Sequence, residues 1–251
     1  MKISIITTCL NSSETIHNTI ESVLKQTYQE IEYIIIDGKS SDNTLEIIEE
    51  YKKYFKHRLK CLSEKDSGIY DAMNKGIALA TGDIIGILNS DDLFVTDDVI
   101  RKVSQAFIEN QDIDCLHADL YYVSKENTNN IVRYWKSGQL REFSKGWHPA
   151  HPTFFVRREV YEKFGLFDLN FKLAADFELM LRFIEKNQVK LYYLEEPIVK
   201  MRLGGATNKS IKNIFLGNIE CYNAFKKNGI KVNLSYPFYR LLPKLKQFIH
   251  K

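Results

Sequence analysis

Four short apolar runs, each ending abruptly in polar residues, constrain this chain more than any other feature. Ile3-Ser-Ile-Ile-Thr-Thr8, Ile31 to Ile36, Leu59 to Leu62 and Ile84 to Leu88 all have strand length. Apolar runs of this size bounded by turn residues read as buried strands. Amphipathic stretches separate them. In the first, Ile16, Ile20, Val23 and Leu24 share one helical face, with Asn11, Ser12 and Ser13 as cap-type residues before it and an end near Gln26. Asp42-Asn43-Thr44 opens a second helix bearing Leu45, Ile48 and Tyr51, and a third spans about Tyr70 to Ala80. Such alternation predicts a mostly parallel central sheet flanked by helices, with right-handed crossovers.

The second half is less regular. A helix is expected over Asp97 to Asn110, then strands over Cys115 to Val123 and Ile131 to Trp135, joined by a polar hairpin loop. Gly146 to Pro152 reads as a loop because of its prolines. A strand at Thr153 to Val156, helices near Arg158 to Phe164 and Ala175 to Glu185, and a strand at Val189 to Leu194 complete the pattern.

Composition narrows the function. With 44% apolar residues in 251, a sizeable core is expected. A net charge of +3 gives no case for nucleic-acid binding. The four cysteines are scattered, supporting neither a zinc site nor a disulfide framework. No leader precedes the first strand and no run of membrane-spanning length occurs, so the expectation is a cytoplasmic protein. Charge is uneven, however. After Glu196 the only acid is Glu220, against eleven Lys and Arg.

The chemistry should sit at the strand ends. Thr7-Thr8, Asp37-Gly38, Ser63 to Asp66 and Asn89 to Asp92 follow successive strands, and residues at the carboxyl ends of one parallel sheet converge on a crevice. Adjacent carboxylates such as Asp91 and Asp92 repel unless a cation joins them, and oxygen ligands suit Mg2+ or Mn2+ bridging to phosphates. The plainer reading of that pair is a helix N-cap, since Asp97-Asp98 soon open another helix. Neither G-x-G-x-x-G after the first strand nor G-x-x-x-x-G-K-[ST] is present, which counts against a dehydrogenase-type dinucleotide site and a P-loop. Asp37 could instead accept the N–H of a uracil.

Ser4 to Asn11, Ser22-Val-Leu-Lys-Gln-Thr27, Asp37-Gly-Lys-Ser-Ser-Asp-Asn-Thr44, Glu64 to Gly76 and Ala80-Thr-Gly-Asp83 through Asp92 resemble inverting glycosyltransferase family 2. His151-Pro-Thr-Phe-Phe155, Gly165-Leu-Phe-Asp168 and Ala174 to Arg182 continue the resemblance in order, over about residues 2 to 203. It implies the A-type (GT-A) fold, a Rossmann-like nucleotide-diphospho-sugar transferase. The expected glycosyltransferase domain covers 1–203, with a nucleotide-binding half at 1–92, an acceptor half at 93–203 and a basic helical tail at 204–251. By that resemblance Thr8, Asp37 and Asp66 contact the nucleotide, Asp91 and Asp92 form the metal and diphosphate motif, and Asp176 is the general base. His151 falls in the acceptor region, where a purely structural role is the equal alternative. The implied reaction is metal-dependent transfer of one sugar from a UDP-sugar, a single displacement that inverts the anomeric centre.

Departures from the family pattern matter. Asn89 stands where many relatives carry an acid, and the Q-x-x-R-W motif of processive synthases is absent, favouring single addition. His148 and His151 have an H-x-x-H look, but the prolines beside them argue against a metal-binding helix. From spacing alone Asp176 reads as a helix cap. Two rival functions remain: a sugar nucleotidyltransferase, disfavoured because Thr8 to Ser13 lacks basic residues, and a nucleotide-sugar-binding protein without turnover. By analogy the acceptor is a glycan on a polyprenyl-diphosphate carrier, in bacterial O-antigen or capsule synthesis. The aromatic and basic segment 236–251 is expected to touch the inner membrane face.

Overall fold

A computed structural model describes residues 1–204, 211–233 and 235–237. The chain runs β1 (Ile3–Cys9), α1 (Ile16–Leu24), β2 (Ile31–Asp37), α2 (Thr44–Phe55), β3 (Leu59–Ser63), α3 (Ile69–Leu79) and β4 (Ile84–Ile87) through its first half. These four strands lie parallel in the order β3-β2-β1-β4, with Ile3 opposite both Ile31 and Ile84. Every residue of β1 and β2 is buried, as a parallel sheet covered on both faces requires. Alternate residues feed two cores. Ile6, Ile34 and Ile36 pack with Met73 and Ile77 of α3, while Ile3, Ile5 and Ile35 pack with Ile16, Ile20 and Ile48 of α1 and α2.

The second half extends the same sheet. It adds β5 (Leu93–Phe94), α4 (Val99–Glu109), β6 (Cys115–Val123), β7 (Ile131–Trp135), β8 (Phe155–Arg157), α5 (Arg158–Phe164), α6 (Ala175–Leu181), β9 (Leu191–Arg202) and α7 (Ile211–Lys227). Strand order continues β4-β8-β6-β9-β5, with β7 on β6. The β4–β8, β8–β6, β9–β5 and β6–β7 pairs are antiparallel, and β6–β9 is parallel. Gly86 makes the β4–β8 junction possible. A Cβ there would lie 2.3 Å from the ring of Phe155, its partner across the pair.

Several local expectations are corrected. Thr153 closes a 3-10 turn that starts at His151, so the strand expected at Thr153 begins at Phe155. The last strand does not stop at Leu194. It runs on through Pro197 to Arg202 because register shifts in the β6–β9 ladder on either side of Asp119 accommodate the proline. The helix at Ala175 ends at Leu181 and widens into a π turn over Arg182–Lys186. The Arg182 guanidinium is drawn towards the carbonyls of Phe164, Gly165 and Leu166. Asn11, Ser12 and Ser13 do not cap α1, whose N-cap is Thr15. They join the β1 loop to the β2 loop instead. Ser12 N–H donates to Thr44 Oγ1 (2.8 Å), Ser13 N–H to Asp42 Oδ2 (3.0 Å), and Asn11 Oδ1 accepts Ser41 N–H (2.8 Å). The expected membrane-contacting tail falls, beyond Pro237, outside the described residues.

Candidate active site

The strand-end residues gather at one edge of the parallel half. Asp37 ends β2, fully buried, and its carboxylate accepts the hydroxyls of Ser40 and Ser63 and the backbone N–H of Ser40. Asp66 lies over the next residue. A Cβ on Gly38 would fall 2.5 Å from Asp66 Oδ2, so glycine here lets the Asp66 carboxylate lie against the β2 loop. Asp66 Oδ1 accepts Gly68 N–H (2.9 Å), which helps set the start of α3. Thr8 is buried beside Asp37's strand end, and its hydroxyl has no hydrogen-bond partner. Ser12 and Ser90 share a hydroxyl hydrogen bond of 2.9 Å that draws the β1 loop to the Asp91 loop.

The two carboxylates after β4 differ sharply. Asp91 is half-buried, whereas Asp92 is 1% exposed. Asp92 Oδ2 accepts the Asn89 amide (2.9 Å), and Oδ1 has no partner. Burial, and next the charge of Asp91, push the Asp92 carboxyl well above the usual carboxylate range, against the Asn89 amide and Arg202. Thus Asn89, which replaces an acid of the family pattern, serves as a neutral donor to Asp92.

Asp176 enters from the other half. It lies in the first turn of α6, after the N-cap residue Ala174, so it is not the cap that its spacing suggests. Its Oδ1 accepts the hydroxyl of Tyr70 from α3 (3.1 Å), four residues after Asp66. Burial, then Asp176 itself, hold the Tyr70 hydroxyl well above its ordinary range. Phe167 stacks on Tyr70 at 5.5 Å and meets the ring of His151 edge-on at 5.9 Å. Burial lowers His151 while the nearby Asp176 charge opposes that shift, so His151, Tyr70, Phe167 and Asp176 form one cluster. His148 lies apart, edge-on to Trp135 and Phe177. Another histidine, His117, is fully buried, stacked on Tyr193 at 5.0 Å. Burial lowers it to about 4, which makes it a neutral core residue.

The pattern of Glycosyl transferase family 2 matches residues 4–165. The chain belongs to glycosyl transferase family 2. A PGL/p-HBAD biosynthesis glycosyltransferase of Mycobacterium bovis is 27% identical over 214 residues, 85% of this chain and 82% of that one. Two solved structures share the fold. Staphylococcus aureus TarS 1-349 in complex with UDP gives a TM-score of 0.63 at 21% identity, over 88% of this chain and 65% of that one. The mannosyltransferase PcManGT of Pyrobaculum calidifontis, in complex with GDP-Man and Mn2+, gives 0.69 at 13% identity, over 97% and 73%. This family 2 chain is a glycosyltransferase with the GT-A fold, its sheet parallel through the first half and mixed through the second.

A divalent cation fits the Asp91–Asp92 motif. The donor set is hard oxygen, one buried carboxylate oxygen is unmatched, and a positive charge there would reverse the upward shift of Asp92. Among the described residues no group of three or more His, Cys, Asp or Glu gathers. Sequence reasoning missed Tyr70 and Arg202. Tyr70 stood inside a family-like segment with nothing to mark its reach to Asp176, 106 residues away. Arg202 read only as one of many basic residues. It is buried at the end of β9, where its charge lowers Asp92 and its guanidinium donates to Asn18 Oδ1 (2.5 Å).

Proposed function

We propose that this glycosyltransferase transfers a single sugar, with inversion, from a UDP-sugar to a glycan acceptor on a polyprenyl-diphosphate carrier, in bacterial surface-polysaccharide synthesis. The observation that carries the reading is the 3.1 Å hydrogen bond from Tyr70 to Asp176. It brings a carboxylate of the second half against α3, the helix that follows Asp66. Inverting transfer needs this juxtaposition: a donor bound at strand ends and a base positioned for the acceptor hydroxyl. The TarS structure with UDP and the PcManGT structure with GDP-Man support a nucleotide-sugar donor. Of the two nucleotides we choose UDP, with its uracil N–H donating to Asp37.

In this mechanism Thr8, Asp37 and Asp66 orient the nucleotide. Asp91 and Asp92 would hold Mg2+ or Mn2+, which when bound offsets the negative charge developing on the leaving diphosphate. Asp176 accepts the proton of the acceptor hydroxyl as that oxygen attacks the anomeric carbon, and Tyr70 holds its carboxylate in place. His151 shapes the acceptor side of the same cluster. The division into nucleotide-binding and acceptor halves at residue 92 belongs to the same proposal.

Asp176→Asn tests the base. Donor binding should stay nearly intact while kcat falls by roughly two or more orders of magnitude. The measurements are calorimetric UDP binding and turnover with the donor selected from a panel of UDP- and GDP-sugars. Unchanged turnover would remove the base role, and selection of a GDP-sugar would overturn the choice of nucleotide.

A further inference from the structure

Glu220 is the single acid among the eleven Lys and Arg that follow Glu196. A lone carboxylate on a basic helix would be expected to pair with a neighbouring lysine or stay in water. Glu220 instead points from α7 onto a stretch of backbone almost fifty residues earlier. Its Oε1 accepts the N–H of Lys172 (3.0 Å), and its Oε2 accepts those of Leu173 (2.8 Å) and Ala174 (2.9 Å). Its neighbour Lys227 pairs with Asp168 and lies 3.5 Å from Glu178.

Those three N–H groups lead directly into α6, which carries Asp176. The N-cap of α6 is Ala174, whose side chain offers no acceptor. Glu220 does not replace that cap, which would accept N–H groups of the first turn; it orders the three residues that lead into the helix from a different helix. The far end of the same segment is held from the donor side. Asn74 of α3 donates to the Phe167 carbonyl and accepts the Phe167 N–H, both at 2.9 Å. Residues 167–174 are thus gripped by α3 at one end and α7 at the other, with Asp176 just beyond the α7 grip.

We infer that Glu220 is a positioning residue for sugar transfer, fixing the start of α6 so that the Asp176 carboxylate stays aligned with the acceptor hydroxyl. The inference rests on Asp176 being the general base. Glu220 acts through the backbone N–H groups it orders, and its charge also bears on the Tyr70 hydroxyl. Reacting groups displaced by about 1 Å lose on the order of 100-fold in rate, so ordering this helix start bears directly on kcat.

The test uses the full chain and a double-mutant cycle: E220A, E220Q, D176N and E220A/D176N, with UDP as the binding probe. E220A should lower kcat about 100-fold and leave UDP affinity within about two-fold, since the donor is held elsewhere. E220Q keeps one oxygen acceptor for Leu173 and Ala174 but sets an amide NH2 against the Lys172 N–H, so it should recover only part of the loss. In the D176N background, adding E220A should change kcat by less than about two-fold, the non-additivity expected when one residue acts through the other. Wild-type turnover by E220A, an equal loss in both Asp176 backgrounds, or a fall in UDP affinity matching the fall in kcat would each overturn the inference. Normal turnover by D176N would overturn the base assignment and this inference with it. A slow D176N beside a normal E220A would overturn the inference alone. Should E220A not fold, E220Q in both Asp176 backgrounds carries the same comparison, and its turnover must fall only where Asp176 is present.

Discussion

Asp92 is pulled in two directions. Its burial and the adjacent Asp91 disfavour its charge, while the Asn89 amide and Arg202 favour it. The Asp92→Asn variant keeps the side-chain shape and removes a buried charge that nothing fully balances within the protein. We expect metal-free Asp92→Asn to melt no lower than the parent, because a buried charge is costly to keep. It should also lose Mn2+-dependent UDP binding, because a neutral amide does not offset the cation's charge. Calorimetry with Mn2+ and with excess chelator, alongside melting curves, checks both halves. Full metal-dependent binding in the variant would leave Asp91 as the sole acidic ligand. At this scale Asp37, Asp66, Asp91, Asp92 and Asp176 were legible as residue types at strand and helix ends. Tyr70, Arg202 and Glu220 were not, because their roles depend on partners 106, 110 and about 47 residues away.

Among the elements, Glu32 of β2 ties β1, β3 and the turn before β4 together. The residue is 3% exposed on β2, and its carboxylate accepts Lys60 Nζ from β3 (2.7 Å) and Ser4 Oγ from β1 (2.6 Å). It also accepts Thr81 N–H (2.8 Å) from the turn before β4. Burial raises its pKa, but these donors outweigh burial and bring it from 4.5 down to about 2. A depressed carboxylate contributes stability that is fully present above its unfolded value, here about pH 4.5, and lost as pH falls towards 2. Melting temperature should therefore drop through that window. Glu32→Gln should cost about 1–3 kcal/mol at pH 7 by leaving buried donors poorly matched, and should flatten the acid-side dependence. An unchanged slope in the variant would move the source of acid sensitivity elsewhere. The elements of the first half were legible because each carries its own period. The shape of β9 was not. A proline inside a strand is acceptable at a bulge, and the extra residues Glu195, Glu196 and Ile198 that bulge β9 show only when it is paired with β6.

For the whole molecule, one sheet crosses from the first half into the second half, and both cores draw on both halves. No helix among the described residues is long and apolar enough to cross a membrane. Tyr236 belongs to the core, fully buried with its ring 4.9 Å from Phe225, so a deletion meant to spare the fold should begin after Pro237. Residues 238–251 carry Arg240, Lys244, Lys246 and Lys251 and no acid. Each such charge contributes about 1 kcal/mol at an anionic surface. The full chain should therefore co-sediment with anionic vesicles, less so at high salt, and the chain ending at Pro237 should not. Equal pelleting of the two would exclude the segment as an electrostatic anchor.

The sequence by itself determined the parallel half. Local apolar runs specify which residues are strands, their polar ends specify where the crevice opens, and motifs in order specify the family. These signals are carried by residues near one another in the chain. The tertiary structure alone decided how the second half meets the first. The antiparallel insertion of β8 beside β4 depends on Gly86 meeting Phe155, the reach of Tyr70 to Asp176 on α3 packing beside α6, and the ordering of α6 on a carboxylate from α7. Each is a contact between segments far apart in sequence, and no period or spacing along a single chain encodes its partner.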